Sequence, residues 1–274
     1  MYKDSNDRLN ELVQYIEKHL TEKIEYDKLA RILAVNEYTL CRIFLFITNM
    51  SLTEYIRKRR LSMAAMELIN SNSKVIDVAV KYGYDSGISF SRAFKKMMGF
   101  NPKDIKKNQD FIKLFPVLSF NDVSDSTIEF EYKEVNNLSL ELYGISTNEI
   151  KVFEIPKYAN KLWKETIDKY GDSINFDYGV VEYDNLSQNQ NGSAKYYVAT
   201  KEKNKNGKKI EIMNKDYLVF KLKSINADEI SEFTKKIYKN FISEFGYNVD
   251  RSPDIEEYID ETTYIHIPII KTKK

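Results

Sequence analysis

One pattern occurs twice in this chain, and no other feature restricts its fold as strongly. Leu40-x-Arg42-x-Phe44-x-x-Ile47 reappears as Phe90-x-Arg92-x-Phe94-x-x-Met97. In each copy apolar residues at i, i+4 and i+7 form one helical stripe, and an arginine falls on the opposite side. Upstream, Leu29-Ala30 and Ala34-Val35 correspond to Val78-Ala79 and Gly83-Tyr84, with one extra residue at the second turn. Each stripe is thus preceded by a shorter helix and a turn, which predicts two helix-turn-helix units.

The second copy is the clearer one. Val75, Val78, Ala79 and Tyr82 make the inner face of its first helix, and Gly83 supplies the residue tolerant of positive φ that ends it. Asp85 or Ser86 caps the next helix, whose inner face is Phe90, Ala93, Phe94 and Met97 and whose outer side carries Arg92, Lys95 and Lys96. In the first copy Asn36 is the N-cap, and Tyr38, Cys41, Arg42 and Leu45 lie on or near the outward side. Arg42 and Arg92 are both expected to face outward, with no core role for either. Leu45 and Phe46 stand where the second copy has Lys95 and Lys96, so the second copy should carry more of any phosphate binding. Alternatively, Leu45 and Phe46 pack against the C-terminal part of the chain. Ser51-Leu-Thr-Glu54 has capping-box spacing and starts a helix through about Asn70 that joins the two units and bears Arg57-Lys58-Arg59-Arg60. A continuous helix fixes the separation of the two recognition helices, as successive major grooves roughly 34 Å apart require. The N-terminal stretch is an amphipathic scaffold helix with Leu9, Val13, Ile16 and Leu20 on one face.

Charge divides the chain. Residues 1–110 hold 19 basic and 14 acidic side chains, the remainder 23 and 27, and residues 42–107 alone hold 13 and 5. That local excess favours phosphate contacts and counterion release. With one cysteine no internal disulfide can form, and no apolar run is long enough to span a membrane. The expected setting is cytoplasmic.

Residues 6–108 resemble the DNA-binding domain of the AraC/XylS family of transcription regulators. The resemblance rests on AVNEYTLCRIF, SLTEYIRKRRLSMAAMELI and DVAVKYGYDSGISFSRAFKKMMGFNP. It implies an all-α bipartite domain that binds double-stranded DNA at a promoter operator, with RNA polymerase as a further partner. Tyr38, Cys41 and Arg42 would then be contact positions of the first recognition helix, and Gly87, Ile88, Ser89, Ser91 and Arg92 those of the second, joined there by Lys95 and Lys96.

Beyond Lys107 the period changes. Residues 111–126 read as a linker between a domain at 1–110 and another at 127–274. The latter alternates as strands, with Ile128-Phe130-Tyr132 and Leu138-Leu140-Leu142 followed by a helix at 159–169 and strands at 178–183 and 195–200. The same order returns as 210–222, a helix at 227–245, then 255–259 and 264–270. Two strand-helix-strand-strand repeats predict an α+β domain with a cleft between its halves. This half resembles a GyrI-like effector-binding domain through Lys161-Leu162-Trp163, Tyr178-Gly179-Val180, Tyr196-Tyr197-Val198-Ala199, Pro253 to Tyr258 and Ile267-Pro268-Ile269. The resemblance implies a cleft for a small, often cationic and aromatic effector, with Glu256 as its glutamate. Trp163, Tyr178, Glu182, Tyr197 and Tyr258 are the other candidate ligand contacts.

No enzyme is expected. His19 and His266 are the two histidines, Cys41 lies in a helix-turn-helix, and no metal cluster, Walker loop or nucleophile elbow is present. No metal, cofactor or membrane partner is expected. A cleft hydrolase using Glu256 as base, or a protein-interaction module, is the alternative for the C-terminal half.

Overall fold

The computed structural model describes residues 5–120, 130–171, 173–184, 192–241 and 246–271. The chain forms two compact units, one of Met1–Leu33 with Leu52–Asp122, the other of Ala34–Ser51 with Val123–Lys274.

The first unit is helical. It contains α1 (Ser5–Lys18) and α2 (Tyr26–Leu33), and after the second unit's α3 (Glu37–Thr48) it resumes with α4 (Leu52–Asn70), α5 (Val75–Lys81) and α6 (Gly87–Met98). Leu61, Ala64, Ala65 and Leu68 of α4 pack with Val78 and Ala79 of α5 and with Phe90, Phe94 and Met98 of α6. The stripe of α6 thus ends on Met98, with Ala93 and Met97 partly buried at its margin. Ser86 caps α6 by accepting the Ser89 N–H at 3.2 Å, and Asn36 caps α3 by accepting the Thr39 N–H at 2.8 Å. Gly83 has φ +79° and its counterpart Ala34 φ +56°, so the first copy makes the same turn without a glycine. Asn49 and Gly99 end α3 and α6 in the same left-handed conformation.

The basic run of α4 is largely engaged within the protein. Arg59 is buried and grips Glu17 with Nε and Nη2 at 2.9 and 2.7 Å, and it also donates to the Phe115 carbonyl. Arg60 donates to the Leu20 and Glu22 carbonyls, and Lys58 pairs with Glu54. Arg57 is exposed. Arg59 therefore ties α4 to α1, Arg60 ties it to the loop between α1 and α2, and Lys58 pairs within α4 itself. Short 3-10 turns at Pro102–Lys107 and Gln109–Phe111 lead into an extended segment held to this unit. There Phe115 N–H donates to Ser62 Oγ, and the Asn10 amide brackets the backbone of Phe120. Ile128, expected in a strand, and the helical continuation to residue 245 fall outside the described residues.

The second unit realises both repeats. The first is β1 (Tyr132–Ser146), a short β2 (Ile150–Lys151), α7 (Ile155–Tyr170), β3 (Tyr178–Tyr183) and β4 (Ser193–Thr200). The second is β5 (Lys208–Leu222), α8 (Ala227–Phe241), a short β6 (Tyr247–Val249), β7 (Asp254–Ile259) and β8 (Thr262–Lys271). All pairs are antiparallel, in the order β1-β5-β8-β7-β3-β4, and β1 also pairs β4 from Tyr143↔Thr200 to Ser146↔Tyr197. The sheet therefore closes on itself. One face of its strands forms a shared interior of Leu142, Tyr178, Val180, Tyr197, Ala199, Ile210, Tyr217, Val219 and Ile255. The other face of β3, β4 and β7, with α7 and α8, surrounds a cavity.

Candidate functional site

In the first unit, α6 presents the surface expected of a recognition helix. Its inner side is fixed by Phe90 and Phe94, both fully buried, which leaves Ile88, Ser89, Arg92, Lys95 and Lys96 exposed. Ile88 is 68% exposed, far more than an isoleucine with an internal packing role. Gly87 and Ser91 are half-buried, and Ser91 Oγ donates to the Gly87 carbonyl at 2.7 Å. The arrangement offers cations for phosphates or guanine, hydroxyls, and one apolar side chain suited to a thymine methyl.

The equivalent helix α3 behaves differently, which corrects the outward reading of Arg42. Within the second unit α3 packs against α8, and Arg42 is 0% exposed. Its guanidinium donates to the Asp254 carboxylate and to the Tyr238 hydroxyl, and Nη1 reaches Tyr38 Oη at 3.3 Å. Asp254 also accepts from Tyr183 at 2.9 Å and from Tyr238 at 3.3 Å. Burial pushes the Asp254 carboxyl up, against the opposing pull of Arg42 and the two phenols. Burial alone would lower Arg42, but Asp254 holds the guanidinium well above its ordinary value. Cys41 is buried and its thiol is pushed up to about 12 by desolvation, while Tyr38 is half-buried. Leu45 and Phe46 take the packing alternative. Leu45 lies against Gly192, and Phe46 stacks on Tyr238 with centroids 4.2 Å apart.

The cavity measures about 350 Å³. Alternation along β7 sends Asp254, Glu256 and Tyr258 to it, whereas Ile255 and Glu257 point to the closed interior. Glu256 Oε2 accepts the hydroxyls of Tyr196 and Tyr258, each at 2.7 Å, and Trp163 Nε1 donates to Tyr196 at 2.9 Å. Trp163 meets Tyr258 edge to face, 5.1 Å between centroids. Gly179, paired with Glu256 across β3 and β7, leaves room for this cluster: a Cβ there would collide with the Tyr196 hydroxyl and the Glu256 carboxylate. Glu256 faces open space yet is enclosed by protein, and desolvation raises its pKa despite the two tyrosine donors.

Of the six candidate ligand contacts, Trp163, Glu256 and Tyr258 come together here. Tyr178, Glu182 and Tyr197 do not line the cavity, because β-strand parity puts Tyr178 and Tyr197 in the interior of the closed sheet and Glu182 on that same face. Tyr178 donates to Glu257 at 2.7 Å, and Glu182 accepts from Tyr197 at 2.6 Å and pairs with Lys208. Asp254, Tyr183 and Tyr196 line the cavity and were not anticipated. The i, i+2, i+4 spacing of Asp254, Glu256 and Tyr258 is the signal that could have found Asp254.

Among the described residues no group of acidic, histidine or cysteine side chains is arranged to hold a metal, and no helix is long and apolar enough to cross a membrane. The GyrI-like small molecule binding domain family matches residues 131–269, and a helix-turn-helix domain family matches residues 29–108. The chain is 40% identical over 94 residues to the HTH-type transcriptional activator AarP of Providencia stuartii, spanning 34% of this chain and 70% of AarP. It is 32% identical over 98 residues to the regulatory protein SoxS of Escherichia coli K12, spanning 36% of this chain and 92% of SoxS. The integron cassette protein VCH_CASS2 of Vibrio cholerae, a solved structure, superposes on 53% of this chain and 100% of its own, with 12% identity and a TM-score of 0.44. The chain belongs to the AraC-type helix-turn-helix transcription regulators and carries a C-terminal GyrI-like small molecule binding domain.

Proposed function

We propose that this regulator responds to an organic cation with an aromatic or lipophilic body, bound in the cavity over Glu256. One observation carries the reading: among the described residues every charged side chain lining the cavity is acidic, namely Asp254, Glu256 and Asp260, and the remaining walls are largely apolar and aromatic. A carboxylate in poorly hydrated surroundings is costly until a cation joins it, and a cation over an aromatic face gains about 0.5 to 2 kcal/mol. Trp163 and Tyr258 supply such faces beside Glu256. On this reading α6 contacts an operator through Ile88, Ser89, Arg92, Lys95 and Lys96, the protein works in the cytoplasm, and RNA polymerase is its partner at the promoter.

The test is calorimetric titration of the full chain with tetraphenylphosphonium and with its anionic counterpart of matched size and shape, tetraphenylborate. Binding of the cation alone, weakened by Glu256→Gln, is the expected result. Equal binding of both ions, or indifference to Glu256→Gln, overturns the electrostatic reading.

A further inference from the structure

The surroundings of Arg42 have the make-up of a cation-binding site. The guanidinium carbon lies 3.7 Å from the centroid of the Tyr183 ring, 5.0 Å from Tyr238, 5.7 Å from Phe46 and 5.9 Å from Tyr38. A carboxylate, Asp254, closes this aromatic cage and bonds the cation directly. Aromatic faces with an adjacent carboxylate are what recognises an organic cation from solution. Here the occupant is a side chain of the chain's own first recognition helix.

The cage is continuous with the effector cavity. Phe46, Tyr183 and Asp254 belong to both, and Asp254 sits two residues from Glu256 on the same face of β7. The occupancy is also incomplete in its bonding: Arg42 Nε and Asp254 Oδ1 are buried without a hydrogen-bond partner among the described residues. A buried ion pair with unmet polar atoms stabilises its surroundings little, although removing one partner and leaving the other alone is expensive. A second cation arriving at Asp254 removes that expense, because the carboxylate is never left unpaired.

We infer that Arg42 is an internal stand-in for the effector: a guanidinium or similar compact cation on an apolar body enters from the cavity, takes Asp254 and the cage, and expels Arg42 so that α3 is released. This extends the proposed cation reading from Glu256 to a second carboxylate and rests on it. It explains why the helix-turn-helix copy whose arginine is caged also carries Leu45 and Phe46 in place of lysines, since both pack in the second unit. It also makes effector affinity depend on how often Arg42 vacates the cage, so removing the guanidinium should tighten binding.

The experiment uses the full chain and its single cysteine, Cys41, which is buried beside Arg42 on α3. The probes are 4-phenylbutylguanidine, cationic at neutral pH, and its neutral isostere 4-phenylbutylurea. The expected result is that the guanidine accelerates alkylation of Cys41 by iodoacetamide about tenfold or more and the urea does not. Calorimetry should show Arg42→Met binding the guanidine about tenfold more tightly than wild type, and Asp254→Asn about tenfold more weakly. Tetraphenylphosphonium binding that depends on Glu256, together with guanidine binding that leaves Cys41 protected, overturns the inference and spares the cation reading. Absence of binding by either cation overturns both. Should Arg42→Met fail to fold, Cys41 alkylation of the wild-type protein still decides, because it needs no substitution.

Discussion

Arg42 and Arg92 occupy the same position in the two copies of one repeat, yet the first is sealed against Asp254 and the second stands exposed on α6. Their substitutions should therefore separate stability from DNA binding. Arg42→Ala leaves Asp254 buried and unpaired, and a loss of about 3 to 5 kcal/mol is expected in denaturant unfolding. Arg92→Ala should stay within about 0.5 kcal/mol of wild type in the same melt. In a mobility-shift assay on a duplex selected from a random library, Arg92→Ala should lose about 1 to 3 kcal/mol of binding free energy. Equal melts for the two variants would contradict the burial of Arg42.

Leu45→Lys tests the packing of α3 from its other side. An exposed Leu45 would make the lysine a new phosphate contact with a steeper salt dependence. The observed Leu45 is 3% exposed and presses on Gly192, so the charge has to be buried or the helix displaced. The expected outcome is a loss of roughly 2 to 4 kcal/mol by denaturant titration, without tighter DNA binding.

On the proposed reading, Glu256 makes cation binding dependent on pH, with a definite sign. Desolvation raises its folded pKa, the Tyr196 and Tyr258 hydroxyls oppose that, and Asp254 adds to it. Protonation removes the charge the ligand uses, so affinity for tetraphenylphosphonium should fall as pH drops through the raised folded value. A bound cation draws the pKa back down, so binding near that pH should release protons, visible as a dependence of the calorimetric heat on the buffer's ionisation enthalpy. In the apo protein the same raised pKa means the folded state binds this proton more readily than the unfolded chain. Its contribution to stability therefore grows as pH falls through the folded value and disappears above it. Glu256→Gln should abolish the proton release, and its persistence in that variant would assign the titration to Asp254, whose carboxyl burial also pushes up.

Gly179→Ala should damage the same site without removing any polar group. The added methyl meets the Tyr196 hydroxyl and the Glu256 carboxylate. Overpacking of this kind costs about 1 to 3 kcal/mol. Fluorescence of Trp163, the single tryptophan, reports it directly, because its indole N–H is bonded to Tyr196. An unchanged spectrum with unchanged tetraphenylphosphonium affinity would mean that the cluster has slack on that side.

The repeat order of both halves was legible because alternation and helical stripes are local properties of the sequence. Asn36 and Ser86 were readable as caps for the same reason, and so was the equivalence of Ala34 with Gly83. The fate of Arg42 was not legible. A helical wheel says which side of α3 is free of its own stripe, but not that Asp254 and Tyr238, over 190 positions away in sequence, cover that side. The pairing of Arg59 was not legible either, since its partner Glu17 belongs to another helix. Of the candidate contacts, Trp163, Glu256 and Tyr258 line the cavity, while strand parity, which depends on how the sheet closes, turns Tyr178, Glu182 and Tyr197 away from it.

That closure gives β7 something like a reading frame. Even-numbered residues from Asp254 to Tyr258 address the cavity, and Ile255 and Glu257 address the interior of the closed sheet, where Glu257 meets Tyr178 and His266. A one-residue slip of the strand would trade Glu256 for a neighbour in the cavity and turn a cavity carboxylate toward the interior of the sheet. The two successive glutamates are therefore not interchangeable copies. Their order ties the chemistry of the cavity to the same strand alignment that lets the domain fold, so a change in one is a change in the other.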